Sequence, residues 1–275
     1  MLDGHGLQTD SGTHGRRGYR GDYLFAWIGC TTPFDGKVWR VMAQLGSRLF
    51  FLVMDQEMEV TVEDLMNSVD DVPYKDRLVL VQKVLHPYLT DVFSRFGGVR
   101  GVEWDSKADP RPVREWLARL ATVLAAMRSE PVREGEPERG RYDYTPAKKE
   151  QPLRAHAVLR NLARGHALAH GRQHLTEEDI PLIARVAVSS MPTEAGRIFR
   201  ALVESGNKSL TVKDVQAALG VGHAETGRGI MRDLDRRGVM EFKEEGPGKA
   251  ASLTFRPKWT WCTSPHFRTL LGLGA

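Results

Sequence analysis

Only two cysteines, Cys30 and Cys262, occur in the 275 residues. So distant a pair in a mid-sized basic chain argues against a disulfide scaffold and predicts a reduced, cytoplasmic protein. Long apolar runs are missing too. No stretch approaches the roughly 18 residues of a membrane-crossing helix, so no membrane partner is expected. The first residues are polar and rich in glycine, unlike a secretory signal. A phosphate loop of the form G-x-x-x-x-G-K-[ST] is also lacking. Gly36-Lys37 is followed by Val38 and has no glycine five places earlier, and Gly248-Lys249 is followed by Ala250. The chain alone is therefore not expected to hydrolyse ATP. No metal is expected. His5, His14, His156, His166, His170 and His174 match no cysteine or carboxylate pattern, and the His166/His170 pair, spaced to hold zinc, has no third ligand.

What is present is a globular composition, 41% hydrophobic and 27% charged, long enough for two or three small domains. The net charge is +4 and the pI about 9.1, which mildly favours an anionic partner. Charge is unevenly spread. Asp55 to Asp71 holds seven carboxylates and no Lys or Arg, whereas residues 208–275 carry 11 Lys and Arg against 7 Asp and Glu.

Residues 1–22 hold six glycines and read as a loop or tail. Tyr23–Ile28 is an apolar run leading to Gly29-Cys30-Thr31-Thr32-Pro33. An amphipathic stretch, Val38–Leu45, follows, then Gly46-Ser47-Arg48 and a second apolar run, Leu49–Met54. Strand, polar tip, helix, arginine and strand would place both strand ends on one edge of a parallel sheet, where α/β folds bind ligands. The fixed charge of Arg48 suits a phosphate there.

Helices are predicted beyond this point. Thr61 with Asp64 reads as a cap. Tyr74–Phe96 has helical apolar spacing and ends at Gly97-Gly98. Pro112–Arg128 is a helix, and 131–150 a long loop or hairpin. Gln151–His170 is a helix stopped by Gly171, and Thr176 caps another that runs to about Ser190. Next come helices over Thr193–Ser205, Thr211–Leu219 and Ala224–Arg237, and strands over Met240–Lys243 and Ser252–Phe255. Helix, helix, turn, helix and hairpin is the order of a winged helix-turn-helix. Within the 224–237 helix, Gly227, Ile230, Met231 and Leu234 share one face. Arg228, Arg232 and Arg236 share the other with Glu225. Such an arginine stripe can follow phosphates along a groove, with Lys249 at the hairpin tip as a further contact.

In order and spacing these segments resemble the C-terminal half of an AAA+ ATPase, nearest the branch of the minichromosome maintenance helicases and MoxR-like ATPases. The matching pieces are Phe25–Pro33, Gly46–Phe50, Leu153–His156, the phrase Gly171-Arg172-Gln173-His174-Leu175-Thr176-Glu177-Glu178-Asp179 and the C-terminal winged helix. The resemblance covers 23–55 and about 150–260. It implies an α/β fragment followed by a mainly α region: a partial AAA+ parallel sheet at 23–60, a helical lid at 61–190, a winged helix at 191–260 and a tail at 261–275. It also implies that Thr31 and Thr32 form the first sensor, that Arg154 is the second sensor touching nucleotide, and that Arg48 is an arginine finger supplied in trans. The phosphate loop and the acidic pair for Mg²⁺ would lie before Met1. ATP and Mg²⁺ would then be bound only with an AAA+ partner subunit or missing N-terminal half that carries them. DNA is the other expected partner, and a homo-oligomer is possible.

Each residue also has a plainer reading. Thr31 and Thr32 fit a capped strand end, and Arg48 a surface arginine paired with the acidic run. Arg154 fits a solvated helix face, as does the 228/232/236 stripe, and a winged helix can also pack subunits. Arg16, Arg17 and Arg20 precede the first sensor, where the resembled helicases insert an element into a central pore; a flexible basic tail is the alternative. A different class of protein, a non-enzymatic winged-helix DNA-binding or regulatory protein, fits the same sequence, as does a degenerate scaffold of active ATPase subunits.

Overall fold

The computed structural model describes residues 8–11, 15–18, 28–30, 49–53, 61–67, 73–129, 133–138, 141–144, 151–206, 208–244, 246 and 251–274. Two units are distinguished, Met1–Phe34 and Asp35–Ala275.

In the first unit, β1 (Gln8–Ser11) pairs antiparallel with β2 (Gly15–Gly18), with Asp10 opposite Arg16 and Thr9 opposite Arg17. This segment, expected as loop or tail, forms a hairpin. Its sequence hid the strands because GRRG lacks the alternation and β-branched residues that mark them. Ile28, at the end of the first expected core strand, lies outside regular structure and is 95% exposed.

The second unit is mostly helical. Its helices are α1 (Val62–Asn67), α2 (Tyr74–Ser94), α3 (Arg111–Arg128), α4 (Leu153–Ala169), α5 (Ile180–Ser189), α6 (Thr193–Glu204), α7 (Val212–Leu219), α8 (Ala224–Arg236) and α9 (Pro265–Leu270). The charged stretch after α3 is an antiparallel hairpin, β3 (Arg133–Glu138) with β4 (Arg141–Tyr144). A small antiparallel sheet has the order β5 (Leu210–Thr211), β7 (Ser252–Phe255), β6 (Met240–Lys243).

Local chemistry explains the boundaries. Pro110 and Pro112 flank the start of α3, where a missing N–H costs nothing. Thr211 opens α7 through a capping box with Asp214, and Gly220 closes it at φ 69°, a conformation natural to glycine. Gly227 lets α8 approach α7. A Cβ there would sit 3.3 Å from Val212 Cγ1, a tight contact that Val212 would have to give way to admit.

One continuous core runs from α3 to α9. It joins Leu117, Leu124 and Leu159 of the helical region to Phe199, Met231 and Leu253 of the C-terminal region. Arg237, just after α8, donates to the carbonyls of Met127 and Ser129 at the end of α3. Of the stretch 261–275, expected as a tail, the described residues 261–274 include Cys262, Phe267 and Leu270 of this core. Phe267 of α9 is fully buried, stacked 5.9 Å from Trp116 and edge-on to Trp261 at 5.1 Å. A six-residue helix carries too little periodicity for that burial to be visible beforehand.

The second expected core strand, Leu49–Met54, also departs from expectation. Its described residues, 49–53, lie outside regular structure and pair with no strand. Among the described residues every strand pair is antiparallel, and no parallel sheet is formed. Three of the segment's backbone groups bond to side chains instead. Phe51 N–H donates to Ser190 Oγ at 2.8 Å, Ser190 Oγ–H returns to Phe51 O at 3.3 Å, and Arg128 Nη2 donates to Leu49 O at 2.9 Å. Backbone groups that are partly shielded from water gain from such partners, and a segment held by side chains finds them without a neighbouring strand.

Candidate nucleic-acid interface

Of the residues singled out from the sequence, Thr31, Thr32, Arg48 and Lys249 lie outside the described residues, as does Arg20. Arg154 is exposed in the first turn of α4, beside the buried stripe of Ala155, Leu159 and Ala163. Arg228, Arg232 and Arg236 are all described, and they share one face of α8 while Gly227, Met231 and Leu234 are buried on the other. The 3.6-residue period decides this division.

The arginine stripe is not bare. Arg232 Nη1 donates to Glu225 Oε1 at 3.0 Å, and its Nη2 to Glu244 Oε2 at 3.4 Å. Its guanidinium stands 5.7 Å from the Phe242 ring centroid, a cation–π placement. Arg228 makes ion pairs with the same two carboxylates, 3.6 Å to Glu225 and 3.4 Å to Glu244. Arg236 pairs with Asp233 at 2.8 Å. Hydrogen bonding to Glu225 above all, and then to Glu244, raises the Arg232 pKa against the opposing effect of burial. The bond from Arg232 holds Glu225 below the ordinary carboxylate range.

Glu225 shares the helix and was visible in the sequence. Glu244 and Phe242 were not, because they reach α8 only when the chain turns back from α8 into β6. Asp235 ties that return together, accepting from Phe242 N–H at 3.2 Å and from Arg256 Nη2 at 2.8 Å. The stripe and its surroundings thus hold three arginines (Arg228, Arg232, Arg236) against three carboxylates (Glu225, Asp233, Glu244). Such a face has little long-range field. It can still bind a phosphate in a bidentate contact, by exchanging a carboxylate partner for the phosphate oxygens.

Two further side-chain clusters lie within the second unit. Asp179, fully buried, receives Arg172 Nη1 and Nη2 at 2.8 and 2.9 Å, Thr176 N–H at 2.8 Å and His166 Nδ1 at 2.7 Å. Burial pushes its carboxyl up, but bonds from Arg172, His166 and Thr176, with the Arg172 charge, bring it net below the ordinary carboxylate range. His166, noted for metal spacing, is thus engaged with Asp179. Its ring lies 4.6 Å from that of His170. The second cluster is Arg128, 5% exposed at the end of α3. It donates from Nε to Ser190 O at 2.8 Å, grips Leu49 O, and lies 4.7 Å from the Phe50 ring. It therefore fixes the residues that directly follow Arg48.

Among the described residues no helix is long and apolar enough to cross a membrane. Comparison with protein-family models, with curated proteins and with solved structures finds no match to this chain.

Proposed function

We propose that this chain is the sensor, lid and winged-helix portion of an AAA+ ATPase that acts on DNA, with α6–α8 and the β5/β7/β6 sheet as the winged helix. The observation that carries the reading is the C-terminal topology. A helix, a two-residue strand, two helices crossing at Gly227 and a hairpin pair so that the short strand joins the hairpin's second strand. That order leaves α8 with one buried and one basic face, the arrangement of a recognition helix. In this reading Arg48 acts in trans as an arginine finger, with Thr31 and Thr32 as first sensor and Arg154 as second sensor. Arg128 clamps the carbonyl of Leu49, the residue that follows the finger in the chain. ATP and Mg²⁺ are held only with a partner that carries the phosphate loop.

The full chain is expected to bind duplex DNA at low salt, with log affinity falling linearly against log salt by about 0.9 per phosphate contact. Arg232→Ala and Lys249→Ala should each weaken binding and flatten that slope by about one contact. The double change Glu225→Gln with Glu244→Gln removes the carboxylates that occupy Arg228 and Arg232. It should tighten binding several-fold and steepen the slope. Fluorescence anisotropy against salt concentration measures all three. Absence of binding at low salt by wild type and double variant alike sinks the DNA reading.

The same chain should show no ATP turnover above background, measured by phosphate release. Turnover abolished by Arg48→Ala would show instead that the chain holds a complete site.

A second reading, a winged helix used to pack against protein, is favoured by the charge compensation on α8 and by the core shared with α3. In that case the Glu225→Gln, Glu244→Gln variant gains no DNA affinity.

A further inference from the structure

Helix α2 is 21 residues long, yet Val92 is its only buried residue. Its last turns rest on the body of the unit. Tyr88 Oη–H donates to Ala169 O at 3.2 Å, at the end of α4. The N-terminal part carries Leu78, Val81, Val84 and Leu85 at 42, 59, 74 and 46% exposure. Isolated exposed apolar residues need no explanation, but a contiguous stripe does.

The spacing of the stripe is specific. Leu78, Val81, Leu85, Tyr88 and Val92 follow at intervals of three, four, three and four, a heptad a/d seam, with Tyr74 one step before it. Pro87, inside the helix, falls on the side opposite the seam by the 3.6-residue period and leaves it unobstructed. Arg77, Val84 and Asp91 line one flank at intervals of seven, with opposite charges at the two ends and the apolar residue midway. This pattern is complementary to itself in one direction. If two such helices run antiparallel about a two-fold axis, Leu78 meets Tyr88 of the other copy and Val81 meets Leu85. Arg77 then lies against Asp91, twice. A parallel pair would put this flank of the two copies on opposite sides of the seam, so that Arg77 and Asp91 never meet.

We propose that the exposed face of α2 is a homodimer interface, an antiparallel helix pair between two copies of this chain. Asp91 already pairs with Arg95 of its own helix through Oδ2. A carboxylate has a second oxygen and can accept from both guanidinium groups. The exposed part of the seam, residues 74–88, is about 22 Å long at 1.5 Å per residue. Such a pair buries at most about 1,000 Å², the low end of specific interfaces, so the dimer should be reversible and micromolar.

Sedimentation equilibrium of the full chain over increasing concentration tests this. The average mass should rise from 30.8 kDa toward twice that value. Leu85→Asp should hold the chain monomeric at concentrations where wild type dimerises, with unchanged thermal unfolding because the residue is exposed. Arg77→Asp should weaken the dimer at least tenfold by facing Asp91 of the partner. Arg77→Asp combined with Asp91→Arg should restore it, since the swapped charges meet again only in the antiparallel arrangement. A wild-type chain that stays monomeric overturns the proposal. So does a dimer indifferent to Leu85→Asp, or one that the double swap fails to restore.

Discussion

Asp179→Ala is expected to cost about 3–5 kcal/mol, the loss seen when one partner of a buried ion pair is removed. Four donor contacts converge on this carboxylate: two from Arg172, one from the Thr176 backbone and one from His166. Removing it takes two bonds from the Arg172 guanidinium, whose side chain is 18% exposed and which keeps Thr176 Oγ1 at 2.8 Å and a longer ion pair to Glu178 at 3.6 Å. It also takes away the cap that orders Thr176 and the 3-10 turn Glu177–Asp179 leading into α5. Asp179→Asn keeps the volume and one acceptor, so it should lose less than the alanine variant. Denaturant midpoints of the full chain measure both. A change below about 1 kcal/mol for the alanine variant would place the network among the many ion pairs that contribute little.

The same carboxylate sets a pH signature. Its folded pKa lies below its ordinary value of 3.8, so the folded chain releases the proton more readily than the unfolded one. Stability from this group is complete above that value and is lost as pH falls through the folded pKa. His156 adds to acid sensitivity from a higher pH. Burial, and then the Arg160 charge, lower its pKa from 6.5, so the unfolded chain takes up a proton first as pH drops and stability declines below about 6.5. His156→Gln should flatten the stability profile near pH 6, and Asp179→Asn its decline at lower pH.

Most of the helical region was legible because its boundaries are written in local chemistry. Thr211 with Asp214, Thr176 with Asp179, and the left-handed glycines 171, 220 and 238 each act within four residues of where they stand. Both strands of the last hairpin were legible too, since they alternate over four residues. What escaped was long-range. Leu210–Thr211 is too short to show a period and becomes a strand only by pairing with Leu253 and Ser252, some forty residues on. Leu49–Val53 is apolar in the manner of a buried strand, but apolarity reports which side chains avoid water, not what the backbone pairs with. Here Ser190 and Arg128 take the place of neighbouring strands. Helix α2 reverses the lesson, because its period was legible and its exposure was not. A periodic apolar face states that something covers it, and does not state which chain.

The C-terminal segment carries the other large effect. Phe267→Ala should destabilise the whole of α3–α9 by about 3–5 kcal/mol, the cost of emptying a buried aromatic site. The ring is fully buried and touches both parts of the unit, Trp116 of α3 at 5.9 Å and Phe199 of α6 at 6.4 Å. Its helix is positioned by Ser264, whose Oγ accepts from Phe267 N–H at 3.2 Å. If the core is continuous, the variant should shift one cooperative transition, with amide protection falling together in α3 and α8. Had α6–α9 formed a separate domain, protection would fall there alone and α3 would keep its own. The same logic applies to a fragment of residues 191–275. It would leave Arg237 without the carbonyls of Met127 and Ser129, and Phe267 without Trp116. The fragment should therefore be far less stable than the same residues within the chain, and the proposed DNA binding is best tested in the full protein. A cooperative fragment with protection equal to that in the full chain would show that the contacts with α3 contribute little.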